Sequence, residues 1–352
     1  LYGMSAEQPD STVLFALYAV SIAFFMPTIG LSNSVAYTAL DKAGLDTVKH
    51  FPPVRVFGTI GFICAMLFVN FTGFQNTAAQ LVTSGVLSFV MVVYALTMPK
   101  CPVSKSNGSK SLSDALGLKA FALFKNKSMA IFFIFSMLLG VALQITNGFA
   151  NPFIQSFGSI EEYADTWGVH NANALISISQ MSETLCILLI PFFLKRFGIK
   201  IVMLMSMLAW VLRFGFFGIG NPGDGVWLFI LSMIVYGVAF DFFNVSGSLY
   251  VDQMTSKDVR SSAQGLFMIM TNGIGATFGT LAAQEVINHN VFSQPEGMAQ
   301  IEGWQNSWII FAAYALVVAV LFFLIFKEPG HSRISTEAIK TAEETSGSNT
   351  DI

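Results

Sequence analysis

Long apolar segments run through this chain of 352 residues, and short polar connections separate them. A helix needs about 20 residues to cross a bilayer, at about 1.5 Å per residue. The pattern therefore predicts an all-α membrane protein with nine spans. Their expected bounds are about Val13–Tyr37, Pro53–Phe71, Ala79–Met98, Met129–Phe157, Ala174–Leu194, Ile201–Ile219, Val226–Val251, Ala263–Ala283 and Trp308–Phe326.

Basic residues fix the expected orientation of these spans. Of the 18 Lys and Arg residues, all except Arg55 and Arg213 fall in alternate connections or in the C-terminal tail. Under the positive-inside rule, those connections and the tail are cytoplasmic. We therefore expect a multi-pass protein of the cell inner (plasma) membrane, with its C-terminus in the cytoplasm. The N-terminus of this chain is then outside.

Loop lengths suggest how the spans are grouped. The longest basic connection, residues 99–128, follows three predicted spans and precedes six. If it joins two six-helix halves, as in transporters built from repeated halves, the complete protein has twelve spans and nine of the twelve are present here. The expected domains are then the remainder of the N-terminal half (1–98), a cytoplasmic linker (99–128), the C-terminal half (129–326) and a cytoplasmic tail (327–352). The alternative is a native nine-span protein.

Composition and charge limit the kinds of binding partner that we expect for this protein. With 54% hydrophobic and 11% charged residues, the chain is expected to lie in the lipid bilayer. A net charge of −3 gives no reason to expect a nucleic acid. The sequence contains no zinc-protease helix motif and no nucleophile elbow, so neither a metal site, a cofactor nor an enzyme is predicted.

Two carboxylates inside predicted spans, Glu183 and Asp241, are the strongest indication of a functional site. A charged side chain at the bilayer centre costs roughly 2.5 to 3.5 kcal/mol, so such residues normally face a cavity or a proton path. Gln180 lies three residues before Glu183, and Gln144 lies three before Asn147, so each pair shares a helix face. Both pairs are candidates to line one cavity.

The same span that holds Asp241 carries an aromatic pair, Tyr236 and Phe240, four residues apart. Asp241 is rotated by about 100° from Phe240 and points toward the cavity edge or a neighbouring helix. Arg213 is the one basic residue deep in a span, and a buried structural ion pair is its favoured interpretation.

Several of these residues also have a purely structural interpretation. Gln144, Asn147 and Gln180 are equally well explained as hydrogen-bonding residues between helices, which contribute only about 0.6 kcal/mol each. The aromatic pair is compatible with simple packing. A group of three glycines in the eighth span is expected to permit close helix contact: Gly273, Gly275 and Gly279.

Sequence motifs add a family resemblance. The run LKRFGIK at 194–200 resembles the degenerate cytoplasmic loop motif of major facilitator superfamily transporters, although Lys195 stands where that motif often has an acid. A more specific set of runs closely resembles the nucleoside permeases of that superfamily, the nucleoside:proton symporters. These runs are FPPVRVFGTIGF at 51–62, FALFKNK at 121–127, LQITN at 143–147, ISQMSETL at 178–185 and YGVAFDFFNVSGS at 236–248.

The resemblance implies the major facilitator fold and a nucleoside site between its two halves. The positions that match the family's binding residues are Arg55, Thr59, Phe62, Gln144, Asn147, Gln180, Glu183, Tyr236 and Phe240. It further implies proton-coupled nucleoside uptake by alternating access, and we expect a monomer. Asp241 is the first candidate to carry the coupled proton and Glu183 the second.

Alternatives remain open at this stage. Another permease of the superfamily, for a sugar or other polar solute, would share the same topology. An integral-membrane enzyme would need a metal or nucleophile cluster, which the sequence does not show. The residues do not rank purine against pyrimidine nucleosides, and they do not fix the proton stoichiometry.

Overall fold

A computed structural model describes residues 10–45, 47–98, 118–255 and 260–327 of the chain. The described residues outside the connections are helical, as predicted. The chain divides into two compact units, Leu1–Gly108 and Ser109–Ile352. Each unit is described by itself.

The first unit contains three long helices. They are α1 (Ser11–Lys42), α2 (Thr47–Phe71) and α3 (Ala79–Ala95). They coincide with the first three predicted spans. Within the described residues, their apolar stretches are Ser11–Phe25, Val56–Phe71 and Ala79–Ala95, which are shorter than a full span. The count of nine spans therefore stays a prediction.

The second unit holds, within the described residues, six helices that are long and apolar enough to cross a membrane. They are α4 (Lys127–Ser156), α5 (172–197), α6 (199–219), α7 (Val226–Met254), α8 (260–292) and α9 (Met298–Ile325). Helices α5 and α6 lie within the continuous range Ala172–Ile219. Helix α8 has four consecutive segments: Arg260–Met268, the π-helical Ile269–Gly275, Ala276–Ile287 and the π-helical Asn288–Phe292.

Two predicted spans have different bounds in the structure. The eighth was expected to end at Ala283, but α8 continues to Phe292. The ninth was expected to start at Trp308, but α9 starts at Met298. Polar residues in the first turns of α9 lower the hydropathy there, yet Gly303 packs directly against the backbone of Asn290 in α8. Composition alone therefore does not indicate the first turns of this helix.

Helices α5 and α6 meet almost without a loop. Gly198 adopts φ 77° and ψ 170°, a left-handed conformation that a residue with a Cβ rarely adopts, and the helical direction breaks there. The charged residues Lys195 and Arg196 lie exposed beside this break. At the other end of α5, the short connection from α4 exposes acidic residues such as Glu161 and Glu162 instead.

An aromatic cluster fills the end of the second unit where α4 finishes. Phe153 of α4 contacts Phe229 of α7 and Trp308 of α9, with ring centroids 5.6 Å apart in both cases. Phe217 of α6 lies 4.7 Å from Trp308. These large side chains are fully buried, so they hold four helices together at this end.

Helix α8 touches the backbone of α4 through glycines. A Cβ on Gly275 would overlap the carbonyl oxygen of Met137, and one on Gly279 would lie 2.8 Å from the Cα of Val141. These two contacts confirm the expected role of both glycines. Gly273 differs, because the nearest atom to its Cβ position is 3.7 Å away, in Ile269 of its own helix.

Candidate functional site

A buried arginine lies at the centre of the second unit. Arg213 of α6 is 1% exposed. Its Nε donates to the Thr146 hydroxyl of α4 at 3.2 Å, and its Nη1 donates to the Ser179 hydroxyl of α5 at 3.5 Å and to the Ser232 carbonyl of α7 at 2.6 Å. The guanidinium also lies 4.5 Å from the ring centroid of Tyr236. One side chain therefore links four helices.

The expectation of a buried ion pair for Arg213 is wrong. Its partners among the described residues are neutral hydroxyls, a backbone carbonyl, a sulfur and two aromatic rings. The sequence carries each of these groups, but none is unusual by itself. Only their convergence from four helices shows that they solvate the cation.

Helices α5 and α7 touch directly beside the predicted binding residues. A Cβ on Gly237 would lie 2.6 Å from the carbonyl carbon of Ser182, and the Ser182 hydroxyl donates to the carbonyl of Ile234. This contact brings the next residue on α5, Glu183, close to the residue before Gly237, Tyr236. Tyr236 therefore has the Arg213 guanidinium over its ring and the α5 backbone beside its helix.

The aromatic pair on α7 forms a stacked unit. The rings of Tyr236 and Phe240 have centroids 5.7 Å apart and planes at 7° to each other. Trp210 of α6 meets Tyr236 edge to face at 6.0 Å. Tyr236 is only 5% exposed, whereas Phe240 is half-buried and presents its ring to a recess of the unit. Phe240 is thus the more accessible surface for a planar ligand.

Three amide side chains among the predicted binding residues are not used to join helices. Gln144 and Gln180 are half-buried and Asn147 is exposed, and none of them hydrogen-bonds to another side chain or backbone group in the part of the chain that the structure describes. By contrast, Asn151 donates to Asn173 at 2.5 Å and does join α4 to α5. The first three amides are therefore available to a ligand.

Asp241 lies on a different side of α7 from the aromatic pair. It is 4% exposed, and at about 100° per residue it is rotated away from Phe240 on the same helix. Glu183, at 9%, is slightly more accessible. The two carboxylates therefore occupy distinct surroundings within one bundle.

The first unit carries the other three predicted binding positions. All three lie on α2, where Thr59 is half-buried and Phe62 is 53% exposed. Thr59 and Phe62 are three residues apart and share one face of the helix. The side chain of Arg55 lies outside the described residues. That these positions meet those of the second unit stays a prediction.

A bundle of membrane-crossing helices with available amides, a stacked aromatic pair and two buried carboxylates is typical of a solute transporter. The chain matches the family described as nucleoside H+ symporter over residues 1–331. It therefore belongs to this family, and it is a transporter rather than an enzyme.

Two similar proteins with assigned functions support this family assignment. The chain is 51% identical over 327 residues to the xanthosine permease of Escherichia coli (strain K12), covering 93% of this chain and 76% of the permease. It is 47% identical over 334 residues to the nucleoside permease NupG of the same organism, covering 95% and 78%.

Solved structures show the same fold. The crystal structure of the nucleoside transporter NupG superposes with a TM-score of 0.81 at 47% identity, covering 93% of this chain and 79% of that one. A mutant of NupG superposes with a TM-score of 0.85, covering 92% and 79%.

Proposed function

We propose that this protein imports nucleosides across the inner membrane together with protons, by alternating access about a central site. The observation that carries the residue assignment is the stacked Tyr236–Phe240 pair beside amides that no described group engages. Aromatic faces bind flat heterocycles, and amides both donate and accept hydrogen bonds along a base edge. Family membership supports the nucleoside and the proton as the transported species.

Each side chain has a specific role in this proposal. Phe240 stacks on the base, with Tyr236 behind it, and Gln144, Asn147 and Gln180 bind polar atoms of the substrate. Glu183 accepts hydrogen bonds from ribose hydroxyls, since a carboxylate is a strong acceptor. The three residues of α2 that the family resemblance implies are also proposed to bind substrate: Arg55, Thr59 and Phe62.

The proposed coupling residue is Asp241. Accumulating an uncharged substrate requires an energy source, and one proton moving down a membrane potential supplies about 2.3 kcal/mol per 100 mV. Asp241 is buried and lies off the aromatic face, so it can exchange a proton without being part of the substrate surface. Glu183 is the second candidate. The proposed orientation has the basic connections and the C-terminal tail in the cytoplasm, and the proposed working unit is a monomer.

Uptake of radiolabelled uridine into proteoliposomes, with and without an imposed pH gradient, tests the function. We expect accumulation above the outside concentration only with the gradient, and we expect unlabelled nucleosides to compete. Uptake that ignores the gradient would remove proton coupling. Uptake that is competed by sugars but not by nucleosides would instead identify a permease for another solute.

A further inference from the structure

A recess next to Phe240 lies between four helices of the second unit, α4, α6, α7 and α8. Its walls include Leu143, Trp210 and the Phe240 ring, which are apolar or aromatic. Two carboxamides, Asn244 and Asn272, also line it. The recess has a volume of only about 20 Å³, room for about one water, so a larger ligand can reach its mouth but cannot enter it.

Asn244 continues the ligand-facing stripe of α7. The residues Tyr236, Phe240 and Asn244 are spaced by four, so they follow one another along one face of the helix. The Asn244 side chain is half-buried, and none of the described residues hydrogen-bonds to it. Leaving a partly buried carboxamide unsatisfied costs free energy, and a polar ligand would remove that cost.

Asn272, which also lines the recess, lies in a distorted part of α8. It belongs to the π-helical segment Ile269–Gly275, and such segments are frequent at functional sites. A Cβ on Gly140 of α4 would overlap the carbonyl oxygen of Thr271, so the two backbones touch at this point. The side chain of Asn272 is exposed, and its recorded contact is a weak one, 3.9 Å to the sulfur of Met268.

A second polar pair between α7 and α8 provides a contrast. Ser248, one turn beyond Asn244, donates to Gln264 at 3.1 Å, and the Gln264 amide donates to the Ser248 carbonyl at 2.7 Å. This pair satisfies itself and joins the two helices. Asn244 and Asn272 form no such bond with each other, although they line the same recess.

We propose that Asn244 and Asn272 bind the polar edge of the nucleoside base at the mouth of this recess, in addition to the nine residues that the family resemblance implies. The inference rests on the proposed nucleoside transport. Each carboxamide offers two donors and an acceptor, which complements the alternating groups of a base edge. The half-buried Phe240 ring contacts a face of the base at the same time. The pair thereby determines which bases the protein accepts.

The test compares substrates that differ at one end only. Uridine and cytidine share a ribose but differ at the base edge, whereas uridine and 2′-deoxyuridine share a base. For Asn244→Ala and Asn272→Ala in the whole protein, we expect the uridine-to-cytidine ratio of kcat/KM to change by about three- to tenfold, the effect of one hydrogen bond. The uridine-to-deoxyuridine ratio should stay constant.

Gln264→Ala is the matched control. It removes an amide from the same helix interface, so it should lower the Tm and leave both substrate ratios unchanged. Where an Asn variant transports too slowly, competition binding of the same three nucleosides to purified protein gives the ratios. Base ratios within twofold of the unsubstituted protein in both variants, or an equal shift in Gln264→Ala, would overturn the inference. Absence of any nucleoside uptake by the unsubstituted protein would contradict the proposed function instead.

Discussion

At the scale of single residues, three ionisable side chains are buried in the second unit: Arg213, Glu183 and Asp241. Arg213 is stabilised by neutral dipoles and by the face of Tyr236, at 4.5 Å. Glu183 lies on the neighbouring helix α5, and Asp241 lies on α7 five residues after Tyr236. In the proposed mechanism the carboxylates serve substrate and proton, while the arginine contacts the face of the Tyr236 ring.

Replacing Arg213 tests its structural part. Arg213→Lys keeps the charge but loses the planar fork that reaches Thr146 and the Ser232 carbonyl together. We expect a loss of about 1.5 to 3 kcal/mol in unfolding free energy, the usual value for a hydrogen bond to a charged group. Thermal unfolding in detergent measures it, with exposed Arg196→Lys as control. An unchanged Tm for Arg213→Lys would show that the network contributes little.

The two carboxylates should respond differently to neutralisation. Asp241→Asn removes the proposed proton carrier, so gradient-driven accumulation should disappear while nucleoside binding stays measurable. Glu183→Gln removes the proposed ribose acceptor, so nucleoside binding itself should weaken by about tenfold or more. Uptake under a pH gradient and equilibrium binding are measured on the same preparations. Accumulation that survives in Asp241→Asn would assign coupling elsewhere.

At the scale of elements, backbone contacts between helices decide where the ligand-facing residues stand. The contact of α4 with α8 at Gly140 and that of α5 with α7 at Gly237 leave no room for a Cβ. Both contacts lie within a few residues of predicted binding positions. Small residues at such points allow the close approach on which packing in a membrane depends.

A glycine pair on α4 makes this testable. Gly140→Ala should destabilise the protein, because the new Cβ would overlap backbone atoms of Thr271 that cannot rotate away. Gly148→Ala, on the same helix, has no atom within 4 Å of its Cβ position and should be neutral or stabilising by up to about 1 kcal/mol. Thermal unfolding of both variants gives the comparison. Equal stability of the two would show that α8 yields at this contact.

At the scale of the whole molecule, orientation follows from the opposite charges at the two ends of the second unit. Lys195 and Arg196 lie at the break between α5 and α6, and Glu161 and Glu162 lie in the connection from α4 to α5. All four are exposed. On the positive-inside rule, we propose that the basic end faces the cytoplasm.

Cysteine labelling in intact cells checks this orientation. In a background without the native cysteines, a membrane-impermeant thiol reagent should label Glu161→Cys readily and Lys195→Cys only after the membrane is opened. Both sites are exposed, so accessibility within the protein does not differ between them. The reverse labelling pattern would invert the proposed topology.

Much of this protein could be predicted from its sequence, because membrane helices depend on local composition. Uninterrupted apolar runs placed all the described long helices, and a spacing of four predicted that Tyr236 and Phe240 share a face, which their stacking at 5.7 Å confirms. The family followed from short motifs around these positions, and the match over residues 1–331 confirms it.

Tertiary structure decided the features that depend on residues far apart in the chain. The neutral partners of Arg213 come from three other helices, so no local pattern reveals them. Helix α9 starts at Met298 and packs against α8 through Gly303, and Asn272 lies in a π-helical segment of α8 that touches Gly140 of α4. Composition fixes which segments enter the membrane, whereas the fit between their surfaces fixes which polar groups remain available to a substrate.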